Sequence, residues 1–267
     1  ANLLNEAALL AARRNDTKIY YNDISEAVFK VTIGPEKKSR VINEEERRLT
    51  AYHESGHAIV LREVSTTDRV ERVSIIPAGG AGGYTAFKPN EDMYFKTRSQ
   101  LLDEIKMALG GRAAEDIKLG EISTGASQDL KKSNQIARSM VTKYGMSQRL
   151  GNFVTDDDEE VFVGRDYGHV TNYSDALQSA IDEEIARILD ESYRETKQIL
   201  VDNEALLEAL AQRLLEIEKV ESDEFEILYQ EYAVDPKPLP GEATSKVALT
   251  PDDDEPLDPP DVDGDDR

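Results

Sequence analysis

The sequence predicts a mainly α-helical protein with a small β element. Over most of its 267 residues, apolar side chains recur at intervals of three and four, while one short region sets β-branched and aromatic residues around a cluster of glycines. The first spacing places apolar side chains on one face of a helix, and the second pattern is typical of a short hairpin. The length suits one large domain or two modest ones, each able to bury its own core.

In the N-terminal region, the pattern of residues predicts two helices and a linker. Residues 1–13 are nearly all good helix formers, and a second helix, capped by Asn22 or Asp23, ends before Gly34 and Pro35. The polar stretch that follows has no clear periodicity, which is typical of a linker. We therefore predict three consecutive units: a small helical piece, a linker and a main domain, at 1–33, 34–42 and 43–233.

In the main domain, the pattern of residues predicts one helix before a hairpin and several helices after it. Asn43 caps its first helix, and Glu46 completes a capping box. Residues 70–76 and 84–87 predict two antiparallel strands around the glycines. Helical spacing predicts the remaining helices over 99–119, 127–144, 174–201 and 203–219, with a short one capped by Ser222. The spacing within the two long helices near the C-terminus predicts that they pack antiparallel.

Composition excludes several classes of protein. The 54 acidic and 32 basic residues give a net charge of −22, which repels phosphate backbones and anionic lipids, so we expect no nucleic-acid partner. No apolar run approaches the roughly 18 to 20 residues that cross a bilayer, so we expect this chain by itself to be soluble. Without cysteine, only histidine and carboxylate remain as ligands for a metal. The acidic, proline-rich region 234–267 predicts a disordered tail.

Two of the three histidines lie in one motif of the first main-domain helix. His53-Glu54-Ser55-Gly56-His57 matches HExxH, and a spacing of four places both imidazoles on one helix face beside Glu54. A catalytic zinc requires a third protein ligand and a position for water, whose proton Glu54 takes during attack on a peptide bond. The motif therefore predicts a zinc endopeptidase; the alternative is a structural histidine pair in a non-catalytic helical ring or adaptor module.

The spacing of residues does not identify the third ligand. A metzincin has glycine and histidine where this chain has Val60 and Glu63, and the arrangement of thermolysin is also unsupported. Two acidic candidates remain, Glu115 and Asp129. An acidic residue in the first turn of a helix is often only a favourable partner of the helix dipole, so the two stay open at this level.

Several stretches together resemble the peptidase part of the FtsH family, the membrane-anchored ATP-dependent zinc metalloproteases. The resemblance covers approximately residues 1–232 and is carried by these stretches: NLLNEAALLAARR, RRLTAYHESGHAIV, MALGGRAAED, GEISTGASQDL and ARSMVTKYGMS. It implies a helical zinc-peptidase domain with the HExxH helix in its core. It also implies Zn²⁺ held by His53, His57 and Asp129, with Glu54 as catalytic base. Glu115 is then a helix residue of the kind that orients a ligand histidine.

The same resemblance implies a larger assembly. We expect a homo-hexamer that degrades unfolded or membrane proteins processively, located at the cell membrane with the peptidase facing the cytoplasm. Residues 1–33 resemble the end of the ATPase lid. We therefore expect ATP and Mg²⁺ to bind only to an ATPase domain that is absent from this chain. We also expect membrane contact only through an N-terminal anchor that is likewise absent. Either strand of the hairpin is a candidate for pairing with the substrate backbone, and a simple capping role for that strand is equally open.

Overall fold

The computed structural model describes residues 2–37, 43–89, 95–151, 154–155 and 174–240. Its elements in chain order are α1 (Asn2–Arg13), α2 (Tyr21–Thr32), α3 (Glu44–Val64), β1 (Asp68–Ser74), β2 (Tyr84–Pro89), α4 (Arg98–Leu119), a 3₁₀ turn (Thr124–Ala126), α5 (Ser127–Thr142), α6 (Asp175–Asp202), α7 (Glu204–Ile217), β3 (Lys219–Glu221) and α8 (Ser222–Tyr232). The predicted mainly α fold with a small β element is confirmed. The acidic stretch around His169 and the tail from 241 lie outside the described residues.

The HExxH helix α3 lies in the core of the main domain. Its N-terminus has the predicted cap, because the Asn43 Oδ1 accepts a hydrogen bond of 2.6 Å from the Glu46 amide. Ala58, Ile59 and Val60 are fully buried in a cluster to which α4, α7, α8 and the sheet also contribute. Within the described ranges, no helix is long and apolar enough to cross a membrane.

The β element is a three-stranded antiparallel sheet in the order β2-β1-β3. The predicted hairpin of β1 and β2 is present, with Val73 opposite Thr85. Sequence periodicity misses β3, which has only three residues and pairs with β1 through Val73 and Val220. Because β3 covers one side of β1, the edge of the hairpin that remains in this sheet is β2.

Two local predictions are wrong. The helix α2 begins at Tyr21, before the predicted caps, and Asp23 lies inside its first turn, where it accepts a hydrogen bond of 2.8 Å from the Tyr20 amide. The long helices α6 and α7 also have different main partners from those expected: the first half of α6 packs on α4 and α5, whereas α7 packs on α3. The spacing of apolar residues identifies a buried face but not the element that covers it.

Residues 233–240, here called the C-terminal strap, return across α8 and α3. Arg62 of α3 is 1% exposed and donates to the backbone oxygens of Lys237 and Pro238 at 2.8 and 3.1 Å. The same guanidinium makes two hydrogen bonds with Glu226 of α8 and lies 4.2 Å above the Tyr229 ring. The region predicted as disordered from 234 is therefore packed on the domain as far as 240, because a buried arginine binds its backbone.

Candidate metal centre

Glycines allow α3 and α4 to pack with their backbones in contact at the site. A Cβ on Gly56 would lie 2.3 Å from the Gly110 oxygen, and one on Gly110 would lie 2.7 Å from the Gly56 oxygen. The next glycine of α4, Gly111, leaves room for the imidazole of His53, since a Cβ there would lie 2.5 Å from that ring. This crossing explains a glycine in the middle of α3, which lowers helix stability by about 1 kcal/mol relative to alanine.

The two histidines direct one ring nitrogen each towards the same point. His57 Nδ1 lies 2.8 Å from the Met107 backbone oxygen, and His53 Nδ1 lies 2.6 Å from the Glu115 carboxylate. Both partners are acceptors, so we assign the proton of each neutral ring to Nδ1, which leaves a lone pair on each Nε2. The two Nε2 atoms are 3.0 Å apart. Two lone pairs that face each other at this distance repel unless a cation or a proton lies between them.

Asp129 brings a carboxylate oxygen to the same point. It lies in the first turn of α5, and its Oδ2 is 3.3 Å from His53 Nε2 and 3.5 Å from His57 Nε2. His53, His57 and Asp129 thus form a group whose ligand atoms all lie within 4.8 Å of one another. Two imidazole nitrogens and one carboxylate oxygen, each able to bind at about 2.0–2.2 Å, form a donor set that fits Zn²⁺ and leaves a fourth position free.

Glu115 lies behind His53 and contacts the segment that carries Asp129. Its fully buried carboxylate accepts from His53 Nδ1 and also from the amide and hydroxyl of Ser123, at 2.7 and 3.1 Å. One acidic side chain therefore orients a histidine and holds the turn before α5. Burial alone raises the pKa of Glu115, but the hydrogen bonds from His53 and Ser123 outweigh it and lower the pKa below its usual value.

Charges within the site shift the pKa values of its other members. Burial lowers the affinity of His53 for a proton, but hydrogen bonds with Asp129 and Glu115 outweigh this and raise its pKa to about 10 in the polypeptide alone. The pKa of Asp129 is held well below its usual value by the same histidines, against the effect of burial. The carboxylates therefore favour positive charge at the point where the Nε2 atoms converge.

Glu54 is buried beside this point, with 6% of its surface exposed. Its carboxylate Oε2 accepts a hydrogen bond of 2.8 Å from the hydroxyl of Thr85 in β2. Burial raises the pKa of Glu54, although the nearby His57 and His53 and the hydroxyl of Thr85 partly offset this effect. A carboxylate with a raised pKa next to a metal site is suited to accept a proton and to release it again.

A cleft of about 720 Å³ opens onto the histidines and Glu54. Its lining includes the glycine-rich turn, Tyr84, Thr85 and Phe87 of β2, and Asp129 with its neighbours in the first turns of α5. In the sheet that the described residues form, β2 is an edge strand, so its outer backbone groups are suited to pair with an extended peptide in this cleft.

The fold and this site define a metallopeptidase of the HExxH class. Residues 40–228 match the model of peptidase family M41. An ATP-dependent zinc metalloprotease FtsH of Ruminiclostridium cellulolyticum is 58% identical over 230 residues, which cover 86% of this chain and 37% of the relative. The protein of the same name from Bacillus subtilis is 48% identical over 229 residues, which cover 85% of this chain and 36% of the relative. The chain therefore belongs to peptidase family M41.

These comparisons confirm the predicted family, the metallopeptidase class and Zn²⁺ as cofactor. The chain spans just over a third of the length of the curated relatives it matches. A third relative, the ATP-dependent zinc metalloprotease FtsH of Rubrobacter xylanophilus, is 46% identical over 248 residues, which cover 92% of this chain and 38% of the relative.

The structure brings together all four residues predicted for the site, and it adds two that sequence reasoning missed. His53, Glu54, His57 and Asp129 line one cleft. The additional groups are the Met107 backbone oxygen and the Thr85 hydroxyl. A backbone oxygen carries no sequence signal. A threonine in a strand after a glycine-rich turn is too common to identify, because the pattern does not show which helix its hydroxyl faces.

Proposed function

We propose that this chain is the zinc endopeptidase part of an ATP-dependent processive protease, with His53, His57 and Asp129 as zinc ligands and Glu54 as catalytic base. The observation that carries the proposal is the convergence of two Nε2 atoms and one carboxylate oxygen beside a buried glutamate. A bound zinc ion supplies a Lewis acid at this point and lowers the pKa of water there.

The side chains of the protein have separate tasks in the proposed reaction. Glu54 accepts a proton from the attacking water and then delivers it to the nitrogen of the leaving amine. His57 and His53 are held in place by the Met107 oxygen and by Glu115. Substrate peptide extends along the edge strand β2, where pairing through backbone groups gives weak sequence selectivity.

The relatives support further proposals about the whole protein. We propose a homo-hexamer that acts on unfolded polypeptides and is anchored in the cell membrane, with the peptidase on the cytoplasmic side. We retain the proposed units of the chain: the end of an ATPase lid, a linker, the peptidase domain and a tail, at 1–33, 34–42, 43–233 and 234–267, with the correction that the first residues of the tail, up to 240, pack on the peptidase domain. The rival adaptor function is not favoured, because it gives no role to Glu54 in an open cleft.

The test replaces one carboxylate at a time in the purified chain. Glu54→Gln should retain one zinc per chain and lose cleavage of an unfolded protein such as casein by at least about 100-fold, because the base is lost. Glu45→Gln is the matched control, since Glu45 is an exposed residue in the first turn of the same helix. Normal cleavage by Glu54→Gln would overturn the assignment of the base.

The ligands are tested by zinc content. Asp129→Asn should weaken zinc binding more than Glu115→Gln, because only Asp129 directs an oxygen to both Nε2 atoms. Zinc loss in Glu115→Gln together with full retention in Asp129→Asn would show that the third ligand is assigned wrongly.

A further inference from the structure

Thr85 occupies a position from which the sheet contacts the HExxH helix. It lies in β2 opposite Val73, a fully buried residue of the central strand, and its side chain faces α3. Its hydroxyl lies 2.8 Å from Glu54 Oε2 and 3.1 Å from the backbone oxygen of the same residue. One side chain of the edge strand is therefore within hydrogen-bonding distance of both the backbone and the carboxylate of Glu54.

The Glu54 side chain is also confined on a second side. A Cβ on Gly83 would lie 3.0 Å from Glu54 Cγ, so the backbone of the glycine-rich turn packs against the aliphatic part of this side chain. Within the described part of the chain, no lysine or arginine forms an ion pair with Glu54, and Thr85 is the side chain that donates to its carboxylate. The orientation of the carboxylate thus depends on one hydroxyl and one backbone contact.

We propose that Thr85 is a positioning residue that holds the Glu54 carboxylate for proton transfer. This inference rests on the proposed function, in which Glu54 is the base. A carboxylate has two oxygens, and donation from Thr85 to Oε2 restrains rotation of the group, which leaves the lone pairs of Oε1 available for the transferred proton. Because β2 also lines the cleft, the strand that receives the peptide is the strand that orients the base.

A merely structural role for Thr85 predicts a different result. If its hydroxyl only joins the hairpin to α3, its loss lowers the melting temperature and the zinc content together. If it orients Glu54, its loss lowers kcat while KM, zinc content and melting temperature stay close to wild type. Thr85→Val separates these outcomes, because valine keeps the β-branched shape suited to a strand and removes only the hydrogen-bonding group.

The experiment measures cleavage of a fluorogenic peptide by the zinc-loaded chain. In Thr85→Val, kcat should fall about 10- to 100-fold with KM within about twofold of wild type, as expected when a catalytic group is misplaced. Thr85→Ser, which keeps the hydroxyl, should restore kcat to within about threefold. Thr32→Val is the matched control, because this exposed hydroxyl of α2 bonds only to the Val28 oxygen in the described residues.

Two further results decide the matter. In the Glu54→Gln background, Thr85→Val should cause no additional loss, because the hydroxyl acts through Glu54; an additional loss overturns the proposal. The proposal is also overturned if kcat of Thr85→Val stays within about twofold of wild type. It is likewise overturned if kcat falls only together with the zinc content. Normal cleavage by Glu54→Gln alone would instead show that the proposed base, and not only its positioning, is wrong.

Discussion

Helix α3 contributes to two charged clusters that differ in how their charges are balanced. Near its C-terminal end, the Arg62 cluster (Arg62, Glu63, Glu226, Tyr229 and Lys237) pairs each charge with a partner of the protein. In the candidate metal centre, earlier in the same helix, two Nε2 atoms and an Asp129 oxygen converge, and within the described residues no lysine or arginine forms an ion pair with them.

This difference in charge balance distinguishes a cluster that stabilises the fold from a cluster that is suited to a function. Charges that are fully paired within the chain mainly determine how segments pack, as Arg62 does for the C-terminal strap. Acceptors that converge without such a partner favour a proton or a metal cation between them. Burial by itself therefore does not indicate a functional site. What indicates it is an unbalanced set of donor atoms next to an open cleft.

Removal of one partner from the Arg62 cluster should produce the largest effect on stability. Arg62→Met leaves Glu226 buried without its cation and should lower the free energy of unfolding by about 3–5 kcal/mol. Zinc content should stay at the wild-type level, because Arg62 belongs to the other cluster. Urea denaturation and metal analysis measure the two quantities.

Two control variants sharpen this result. Arg138→Met removes an exposed arginine that lies 3.8 Å from the exposed carboxylate of Asp182, and it should change stability by less than about 1 kcal/mol. The double variant Arg62→Met, Glu226→Leu should be more stable than Arg62→Met, since no unpaired charge is left. A loss of zinc in Arg62→Met would contradict the separation of the two clusters.

A substitution beside the candidate metal centre should mainly change zinc binding, whereas Arg62→Met should mainly change stability. The Cβ of Gly111→Ala would lie 2.5 Å from the His53 ring, which cannot retreat without breaking its contact with Glu115. We expect zinc affinity, measured by competition with a chelating dye, to fall about 10- to 100-fold, as for other changes behind a ligand histidine. Gly80→Ala is the control, because a Cβ there meets no atom within 4 Å. Equal affinities in both variants would refute this explanation of Gly111.

The smallest expected effect concerns alkaline pH. Burial, reinforced by the carboxylate of Glu63, raises the pKa of Tyr229 to about 12 despite the hydrogen bond that its oxygen accepts from the Lys237 amide. Since the unfolded chain has a tyrosine pKa of about 10, this group stabilises the fold below pH 10, and the contribution disappears as pH rises through about 12.

Tyr229→Phe isolates that contribution. Near pH 8 the variant should be less stable than wild type by about 1.5 kcal/mol, the lower end of the usual effect of losing a hydrogen bond to a charged group. The difference should shrink between pH 10 and 12, as measured by urea denaturation at each pH. A difference that stays constant over this range would mean that Tyr229 titrates alike in the folded and unfolded chain.

Most of the helices and the candidate ligand histidines were predictable because the signals are local. The capping of α3 by Asn43 depends on residues three apart, and the common face of His53 and His57 depends on one helical turn. The strand β3 and the strap were missed, since three residues show no periodicity and a proline-rich segment gives no sign of a buried arginine beneath it.

The sequence by itself determined the kind of chemistry. With no cysteine and three histidines, two of them one turn apart around a glutamate, the available ligands and the base follow from residue types and helix geometry. The spacing of residues left open which acid lies on the Nε2 side of the histidines, because Glu115 and Asp129 are both more than 50 residues away along the chain. The family resemblance implied Asp129, and only the tertiary structure shows how the two acids are placed. The close crossing of α3 and α4 places Glu115 behind His53 and the first turn of α5 in front, and the hairpin adds Thr85. These contacts depend on how the elements pack, which no local pattern encodes.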